Sequence, residues 1–398
     1  MPGERTRTAI EHEQTYIFQT YPRPDFVLER GEGACLFDTE GQSYLDFAGG
    51  IAVNALGHGD AEICKTIAEQ SCKLIHVSNL YHTVPGGELA KMLIERSPGL
   101  DRVFFCNSGT EGVEGAIKFA RKFARERVGE GKTSIVAFEG SFHGRTMGAV
   151  ALSSREHFRL PFMPVMPGVR FAPLNDIEAL QQVMADDVCA VFVEPVQGEG
   201  GVNVADQAFL QEVRRLCDHH GALMVLDEIQ CGMGRTGTLW AYEQYAVQPD
   251  MMVLAKPLAG GLPIGAILAR QEVADAIRPG DHGTTFGGGP LITAVAQVVL
   301  RRISHPDFLA HVQHVGSYLE EHLNYLTHYY PERIRAIRGR GLMRGIHIRG
   351  SAAELRAAGH QVGLLMATAG PDVLRLLPPL IIEQWHVDEL INRLRKIL

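Results

Sequence analysis

Short apolar runs alternate with amphipathic stretches across the middle of the chain, over residues 102–270. Each run is three to five residues long and consists mostly of Val, Ile, Leu, Phe, Met and Ala, which is typical of strands buried on both faces of a parallel sheet. Their alternation with helical stretches predicts a mostly parallel central sheet that crossover helices cover. The runs lie at 103–105, 135–138, 189–193, 222–226 and 251–255.

Two of the intervening stretches have a clear helical period. Apolar side chains recur at spacings of three and four after Thr110 and again near Phe209, where the pattern ends at Gly221. Because this spacing puts them on one helix face, both stretches are predicted to pack on the sheet. The apolar positions are Val113, Ala116, Ile117, Ala120 and Ala124 in the first stretch and Leu210, Val213, Leu216 and Cys217 in the second.

The two ends of the chain have a different pattern. Strand-like segments at 35–38 and 44–47 flank a short turn and predict a hairpin. Beyond residue 289 we expect a long helical stretch over 291–326, a hairpin around 338–341 and a final helix from Val387. The expected fold class is α/β, with a large domain at 56–289 and a smaller α+β domain built from both ends of the chain, 1–55 and 290–398.

Composition and charge narrow the class of partner. The 398 residues carry a net charge of −8, and no block of like charge marks a nucleic-acid or membrane surface, so a small-molecule partner is expected. No apolar stretch reaches the roughly 20 residues that span a bilayer. The first residues lack the apolar core of a signal peptide, and seven scattered cysteines form no Cys-x-x-Cys pair, so we expect a cytoplasmic protein with reduced thiols. No histidine and carboxylate spacing typical of a zinc site is present, and no metal is expected.

Lys256 and Asp227 each stand at the end of a predicted buried strand. Ligands of open α/β sheets bind at the C-terminal ends of the strands. An amine and a carboxylate at that edge suit pyridoxal 5'-phosphate, whose aldehyde condenses with a lysine and whose pyridine nitrogen needs a carboxylate to stay protonated. The alternative is that both residues only end strands and face water.

Phosphate-binding and ring-binding groups are present in other loops. The turn 107–112 opens a helix and offers free N–H groups and the hydroxyls of Ser108 and Thr110 to a phosphate, although a capped helix without ligand has the same composition. Phe142 is able to stack on a flat ring and Arg145 to bind a carboxylate; the alternative is a core aromatic and a surface arginine. Glu199 lies in a glycine-rich loop, where it either pairs with an arginine or is a solvated acid.

The assembled residues resemble the class III pyridoxal-phosphate aminotransferases of fold type I, and within them the acetylornithine/succinylornithine aminotransferase group. Three segments carry the resemblance, 46–58, 142–146 and 227–237, and it extends over residues 30–383. One difference lies in the phosphate-loop helix, where Gly112 and Gly115 stand in place of alanines. An interior glycine costs a helix about 1 kcal/mol relative to alanine.

The resemblance implies roles for the cofactor-binding residues. Lys256 is the lysine that binds the cofactor, Asp227 the partner of its pyridine nitrogen, Gln230 a neighbour of the ring hydroxyl and Phe142 the stacking aromatic. Thr285 is implied to reach the phosphate from the partner subunit, so the protein is expected to be a homodimer with a shared site. The other cofactor-binding positions implied are Ser108, Gly109, Thr110, Glu228 and Ile229.

The resemblance also implies how substrates bind. Arg145 binds a substrate carboxylate, and Thr284 lies near an acylated ornithine. Arg375 binds the carboxylate beside the reacting carbon of glutamate or 2-oxoglutarate, and Glu199 neutralises Arg375 when the other substrate is bound. Acylornithine reacts through a terminal amine without an adjacent carboxylate, so an unpaired buried arginine would be costly at that stage.

The expected activity is transfer of the terminal amino group of N-acetylornithine to 2-oxoglutarate, giving N-acetylglutamate 5-semialdehyde and glutamate, a step of arginine biosynthesis. Succinylornithine, ornithine and 4-aminobutyrate remain alternative donors. A pyridoxal-phosphate aminomutase or decarboxylase on the same fold, and a catalytically silent binding or assembly subunit, are the alternatives of other classes.

Overall fold

A computed structural model describes residues 2–398 and contains the predicted central sheet and the helices that cover it. The strands, in chain order, are β1 (Leu28–Glu32), β2 (Cys35–Asp38), β3 (Ser43–Asp46), β4 (Arg102–Cys106), β5 (Ser134–Phe138), β6 (Val169–Ala172), β7 (Val188–Val193), β8 (Val196–Gln197), β9 (Asn203–Val204), β10 (Leu223–Asp227), β11 (Met251–Leu254), β12 (Gly265–Ala269), β13 (Ile334–Arg340), β14 (Met343–Ile348), β15 (Leu364–Leu365), β16 (Ala367–Thr368) and β17 (Val373–Leu376).

The helices surround these strands. They are α1 (Glu4–Tyr16), α2 (Gly49–Ala52), α3 (Ala61–Lys73), α4 (Val84–Glu95), α5 (Gly109–Arg127), α6 (Met147–Ala151), α7 (Glu156–Arg159), α8 (Ile177–Val183), α9 (Gln207–His220), α10 (Gln271–Asp275), α11 (Pro290–Ile303), α12 (Pro306–Tyr329), α13 (Ala352–Gln361) and α14 (Gln384–Leu394). Short 3₁₀ helices occur at Ser78–Leu80, Leu160–Phe162, Ala241–Gln244 and Lys256–Ala259.

The central sheet has seven strands in the order β4-β12-β11-β10-β7-β5-β6. Strands β11, β10, β7, β5 and β6 run parallel, and β12 runs antiparallel to both of its neighbours. The predicted fold class and the mostly parallel sheet are therefore confirmed. Two strands of the central sheet, β6 and β12, were not predicted. Arg170 interrupts the apolar run of β6, whereas the run of β12, residues 266–269, was overlooked.

Both faces of the central sheet are covered. On β5, Val136 and Phe138 belong to one apolar cluster, whereas Ile135 and Ala137 belong to another on the opposite face. The predicted apolar faces of α5 and α9 are buried as expected, and α9 ends at Gly221 in the left-handed conformation. Because both faces of the sheet are covered, the C-terminal ends of its parallel strands are the part that remains accessible.

Close packing explains the glycines of α5. A Cβ atom on Gly112 would lie 2.7 Å from Cγ1 of Val253, and one on Gly115 would lie 2.5 Å from Cδ1 of Ile267. The helix therefore lies against β11 and β12 at a distance that alanine does not fit. The helix-propensity cost expected from the sequence is offset by contact with larger side chains on the sheet.

Two smaller sheets contain the ends of the chain. One has the order β1-β2-β3-β15, and in it the predicted hairpin β2–β3 is present and Leu45 pairs with Leu364. The other has the order β13-β14-β17-β16 and contains the predicted hairpin around 338–341. The division into domains at 1–55, 56–289 and 290–398 stays a prediction.

Two helix predictions need correction. The helical stretch expected over 291–326 is two helices, because α11 ends at Ile303 and α12 starts at Pro306, whose ring cannot continue a preceding helix. The final helix begins at Gln384, three residues before Val387, where Glu383 and His386 form a reciprocal capping pair. None of the helices formed by residues 2–398 is long and apolar enough to cross a membrane.

The packing of α5 predicts that Gly112→Ala destabilises the protein. Alanine gains about 1 kcal/mol of helix propensity, but overpacking against the stiff side chain of Val253 costs roughly 1–3 kcal/mol. We expect a lower apparent unfolding temperature in a thermal scan, and a smaller loss when the same change is made in a Val253→Ala background.

Gly87→Ala is the matched control, because Gly87 lies in α4 and a Cβ there meets no atom within 4 Å. This change should raise the unfolding temperature. If Gly112→Ala stabilised the protein as much as Gly87→Ala does, close packing would not explain the glycine.

Candidate active site

A cavity of about 390 Å³ opens at the C-terminal edge of the central sheet. Most of the residues predicted to bind cofactor or substrate line it, although they come from segments far apart in the sequence. The predicted residues that line the cavity are Ser108, Gly109, Thr110, Phe142, Arg145, Glu199, Asp227, Ile229, Gln230 and Lys256.

The N-terminus of α5 forms one side of the cavity. Ser108 caps the helix, with its Oγ accepting a hydrogen bond from the N–H of Glu111 at 3.3 Å. The Glu111 carboxylate in turn accepts bonds from the backbone and side-chain amides of Asn107, both at 2.9 Å. A Cβ atom on Gly109 would lie 2.7 Å from Cδ1 of Ile229, so only glycine fits this turn. The result is a rigid turn whose free N–H groups and positive helix end suit an anion.

Asp227 ends β10 and is buried in contact with His143. Nδ1 of His143 lies 2.7 Å from Oδ2 of Asp227, and the N–H of Ile229 donates to Oδ1 at 3.0 Å. Burial lowers the pKa of His143, but the hydrogen bond and charge of Asp227 outweigh it, and the net shift of the pKa is upward. Nε2 of His143 is buried and has no hydrogen-bond partner among residues 2–398. These contacts fix the orientation of the Asp227 carboxylate.

Lys256 follows β11 and begins the short helix at Lys256–Ala259. Its backbone has φ +35°, a left-handed conformation that side chains other than glycine rarely adopt, and such strain concentrates at functional sites. Burial lowers the pKa of the Lys256 amine, and the charge of Arg375 lowers it further, against the opposing effect of Asp227. A lowered pKa increases the neutral, nucleophilic fraction of the amine.

Arg375 lies on β17, in the last part of the chain, and contacts two residues that line the cavity without lining it itself. Its Nη2 lies 2.6 Å from Oε1 of Glu199, and its Nη1 donates to Oε1 of Gln230 at 3.0 Å. The guanidinium is almost fully buried, whereas the Glu199 carboxylate keeps about a quarter of its surface exposed. Glu199 is thus the more accessible partner, and it does pair with an arginine, one of the two alternatives left open by the sequence.

Glu194 is a cavity residue that the sequence did not single out. It follows β7, and its carboxylate accepts hydrogen bonds from the N–H groups of Phe142 at 3.0 Å and Gly198 at 3.1 Å. Burial raises its pKa to about 7, with Asp227 acting in the same direction and His143 and the two N–H groups opposing. His143 was given no role from the sequence either. The contacts of Glu194 with Phe142 and of His143 with Asp227 each join separate loops, so only the position of each residue after a strand could have indicated them.

Arg145 lies at the exposed side of the cavity. Its guanidinium is stacked 3.8 Å above the ring of Phe158 and lies 5.4 Å from the ring of Phe142. Stacking on two aromatic rings orients the guanidinium while leaving its N–H groups available to a carboxylate.

The structure does not bring every predicted residue into the cavity. The carboxylate of Glu228 does not line it and accepts bonds from the N–H groups of Ala241 and Tyr242, both at 2.7 Å, so a cofactor role for this residue stays a prediction. Thr284 accepts a bond from Nδ2 of Asn107 at 3.1 Å and lies just behind the cavity wall. Thr285 is exposed and does not line the cavity of its own chain.

Comparison with known proteins agrees with the family resemblance seen in the sequence, over nearly the whole chain. The family model for class III aminotransferases matches residues 17–398. An acetylornithine aminotransferase of Alnus glutinosa, named as mitochondrial, is 51% identical over 96% of this chain and 86% of its own. The N-acetylornithine aminotransferase of Stenotrophomonas maltophilia has a TM-score of 0.84 at 41% identity, with 98% of both chains covered. An ornithine aminotransferase of Toxoplasma gondii with partial occupancy of pyridoxal phosphate at its active site has a TM-score of 0.93 at 30% identity, covering 99% of this chain and 94% of its own.

The raised pKa of Glu194 predicts a pH-dependent difference between the protein and its Glu194→Gln variant. The folded-state pKa is about 7, above the ordinary value of 4.5, so the protonated side chain stabilises the fold below 4.5 and this stabilisation is lost as the pH rises towards 7. As the pH rises over that range, the apparent unfolding temperature of the unmodified protein should fall relative to that of the variant, and above it the difference should stay constant.

The amide has one accepting oxygen and loses one of the two hydrogen bonds that the carboxylate accepts. This loss changes the unfolding temperature by an amount that does not depend on pH. Only the slope is therefore diagnostic, and it is measured by thermal unfolding in buffers from pH 5 to 8.5. A difference that stays constant across these buffers would contradict the shifted pKa.

Proposed function

Because the chain belongs to the class III aminotransferase family, we propose that it is an acetylornithine aminotransferase, which moves the terminal amino group of N-acetylornithine to 2-oxoglutarate. The products are N-acetylglutamate 5-semialdehyde and glutamate, which places the reaction in arginine biosynthesis. The observation that carries the proposal is the contact between Arg375 and Glu199 at 2.6 Å beside the Lys256 amine. A buried arginine with a movable acidic partner suits two substrates that differ in whether a carboxylate adjoins the reacting carbon.

Class III aminotransferases depend on pyridoxal 5'-phosphate, and the residues around the cavity fit this cofactor. It supplies an aldehyde for the amine and an electron-accepting ring when bound. The amine of Lys256, the carboxylate of Asp227 and the aromatic ring of Phe142 line one cavity, together with a helix N-terminus suited to a phosphate. These are the four kinds of group that such a cofactor needs.

We propose that the phosphate is held by Ser108, Gly109 and Thr110 at the N-terminus of α5. Phe142 and Ile229 would contact the two faces of the ring, since both line the cavity. Asp227 would hold the proton on the pyridine nitrogen, and its bond to His143 fixes the orientation of the carboxylate. Gln230 would lie near the ring hydroxyl. Its Oε1 accepts a bond from Arg375, so the remainder of its amide would face the hydroxyl.

Lys256 has two proposed roles. At rest its Nζ binds the cofactor, and after a substrate amine takes its place the free amine accepts the proton from the carbon that bears the reacting nitrogen. The lowered pKa of Lys256 keeps the amine neutral enough to act as a base. The same Nζ would then return the proton to the carbon on the other side of that nitrogen.

Arg375 and Glu199 are proposed to select the substrate for each half of the reaction. N-acetylornithine has no carboxylate beside its terminal amine, so Glu199 stays on Arg375 while it reacts. Glutamate and 2-oxoglutarate bring a carboxylate that displaces Glu199, and Arg145 binds the far carboxylate of either substrate. Thr284 is proposed to lie near the acyl group of N-acetylornithine.

We also propose a homodimer in which Thr285 of the partner subunit reaches the phosphate. An exposed apolar surface next to Thr285 supports this, because Leu80, Tyr81 and Phe286 are each more than 60% exposed. Asn79 joins the two segments by donating to the carbonyl oxygens of Thr284 and Gly287. A cytoplasmic location is proposed on the ground that all seven cysteines are free.

Lys256→Ala should abolish the reaction. Loss of both the attachment point and the base is expected to lower turnover of N-acetylornithine with 2-oxoglutarate by at least about 10³-fold. After borohydride treatment, the unmodified protein should keep a covalently attached chromophore and the variant should not.

Lys91→Ala is the control, since Lys91 is an exposed residue of α4 with one weakly held ion-pair partner. It should retain activity and the attached chromophore. A Lys256→Ala protein that still kept the chromophore after borohydride treatment would show that another residue binds the cofactor.

The donor is tested by a panel of half-reactions. The protein loaded with pyridoxal phosphate is mixed with N-acetylornithine, succinylornithine, ornithine or 4-aminobutyrate, and the change in visible absorbance is timed. We expect N-acetylornithine to react at least about tenfold faster than ornithine or 4-aminobutyrate, within the range that pocket contacts usually provide. If ornithine or 4-aminobutyrate reacted tenfold faster instead, the family would stand and the proposed substrate would not.

A further inference from the structure

The acidic partner of Arg375 lies on a small hairpin. Glu199 is in the turn between β8 and β9, which pair antiparallel through Val196 with Val204 and Gln197 with Asn203. If the proposed function holds, the contact between Glu199 and Arg375 opens and closes once in every reaction cycle. The position of the hairpin backbone therefore decides how readily the contact forms again.

Asn203 holds the turn together from inside. Its Nδ2 donates to the carbonyl oxygen of Gly200 at 3.0 Å and to Oε1 of Gln197 at 3.2 Å. Gln197 donates through Nε2 to the carbonyl oxygen of Glu139 at 2.7 Å. One amide thus links both strands of the hairpin and the turn that carries Glu199.

Arg338 connects this amide to the sheet that carries Arg375. Nη1 of Arg338 donates to Oδ1 of Asn203 at 3.0 Å, and Nη2 of Arg338 lies 2.9 Å from Nδ1 of His347. An arginine only donates, so Nδ1 of His347 accepts and the ring proton is on Nε2, 2.9 Å from Oδ2 of Asp372. Asp372 immediately precedes β17, the strand that contains Arg375.

The hairpin also lies very close to this sheet. A Cβ atom on Gly345 would be 2.9 Å from Cβ of Val202, and one on Gly339 would be 3.0 Å from Cγ1 of Val202. Val202 is buried and has φ +55°, a strained conformation for a β-branched residue. Such strain persists only where the surroundings enforce it, so the hairpin is held in this position by packing as well as by hydrogen bonds.

We propose that Arg338 is a positioning residue for substrate selection. Through Asn203 it fixes the hairpin to the β13-β14-β17-β16 sheet independently of the contact between Glu199 and Arg375. That contact can then open for a substrate carboxylate and close again without movement of the backbone. On the other side of the hairpin, Arg155 donates to the carbonyl oxygen of Glu199 at 2.6 Å, and Glu194 accepts from Gly198.

This role gives a direction for the effect of Arg338→Gln. A loosened hairpin weakens the closed contact, so a dicarboxylate competes better for Arg375, while N-acetylornithine meets an arginine that is less well paired. We expect the ratio of the glutamate half-reaction rate to the N-acetylornithine half-reaction rate to rise about fivefold, a change that corresponds to roughly 1 kcal/mol. Glutarate, which does not react, should bind the loaded protein about fivefold more tightly in calorimetric titration.

Matched variants separate positioning from general damage. Arg335→Gln changes another arginine of β13, which lies near His347 and Asp372 but forms no hydrogen bond with residues 196–204 of the hairpin, and it should leave the ratio unchanged. Asn203→Ala also removes the bonds within the turn and should shift the ratio at least as far in the same direction. Adding Arg338→Gln to it should give no further shift, because Arg338 acts on the hairpin through Asn203. Arg338→Lys, with a single donor group, should give an intermediate ratio.

Equal losses in both half-reactions, or an unchanged ratio together with unchanged glutarate affinity, would overturn the positioning role. This inference rests on the proposed function, but the two fail in different ways. If the unmodified protein did not react with N-acetylornithine, the proposed donor would be wrong. The glutarate titration would still test Arg338, because it depends on the contact between Glu199 and Arg375 and not on the identity of the donor.

Discussion

Arg375 carries a permanent charge in a position that water hardly reaches, and the cavity is arranged around that constraint. Glu199 and Gln230 contact its two terminal nitrogens, whereas its buried Nε has no hydrogen-bond partner among residues 2–398. Its charge lowers the pKa of Lys256 in the same direction as burial does, which keeps the amine reactive. Asp227 opposes that shift. The pKa of the amine thus depends in part on one buried cation, and the proposed selection of substrates depends on which anion lies beside that cation.

The sequence was most informative about groups at the ends of strands. Lys256 and Asp227 were identifiable because each ends an apolar run, and the rule that ligands bind at the C-terminal edge of a parallel sheet then brought them together. The phosphate turn was identifiable from its small residues before an amphipathic helix. Arg375 was recognised only through resemblance to a family, since no local pattern connects a strand near residue 375 with a cavity lined by Val53 and by residues between 107 and 264.

What sequence reasoning missed depends on contacts between loops. Glu194 and His143 were visible in their segments, but the bonds that give them roles join segments that lie 52 and 84 positions apart. The direction of the Glu228 side chain could not be read from the sequence, because adjacent residues after a strand point in different directions, and its carboxylate is buried against the N–H groups of Ala241 and Tyr242. The glycines of α5 were judged from helix propensity alone, whereas the side chains of Val253 and Ile267 decide their fit.

The pairing of β3 with β15 has a consequence for synthesis on the ribosome. Leu45 cannot find its partner Leu364 until almost the whole chain has been translated, which at about 5–20 residues per second takes on the order of tens of seconds. Throughout that time the first hairpin lacks its neighbouring strand, while the strands of the central sheet emerge and are able to assemble. The nascent chain therefore has an exposed sheet edge near its start, the kind of surface that chaperones protect.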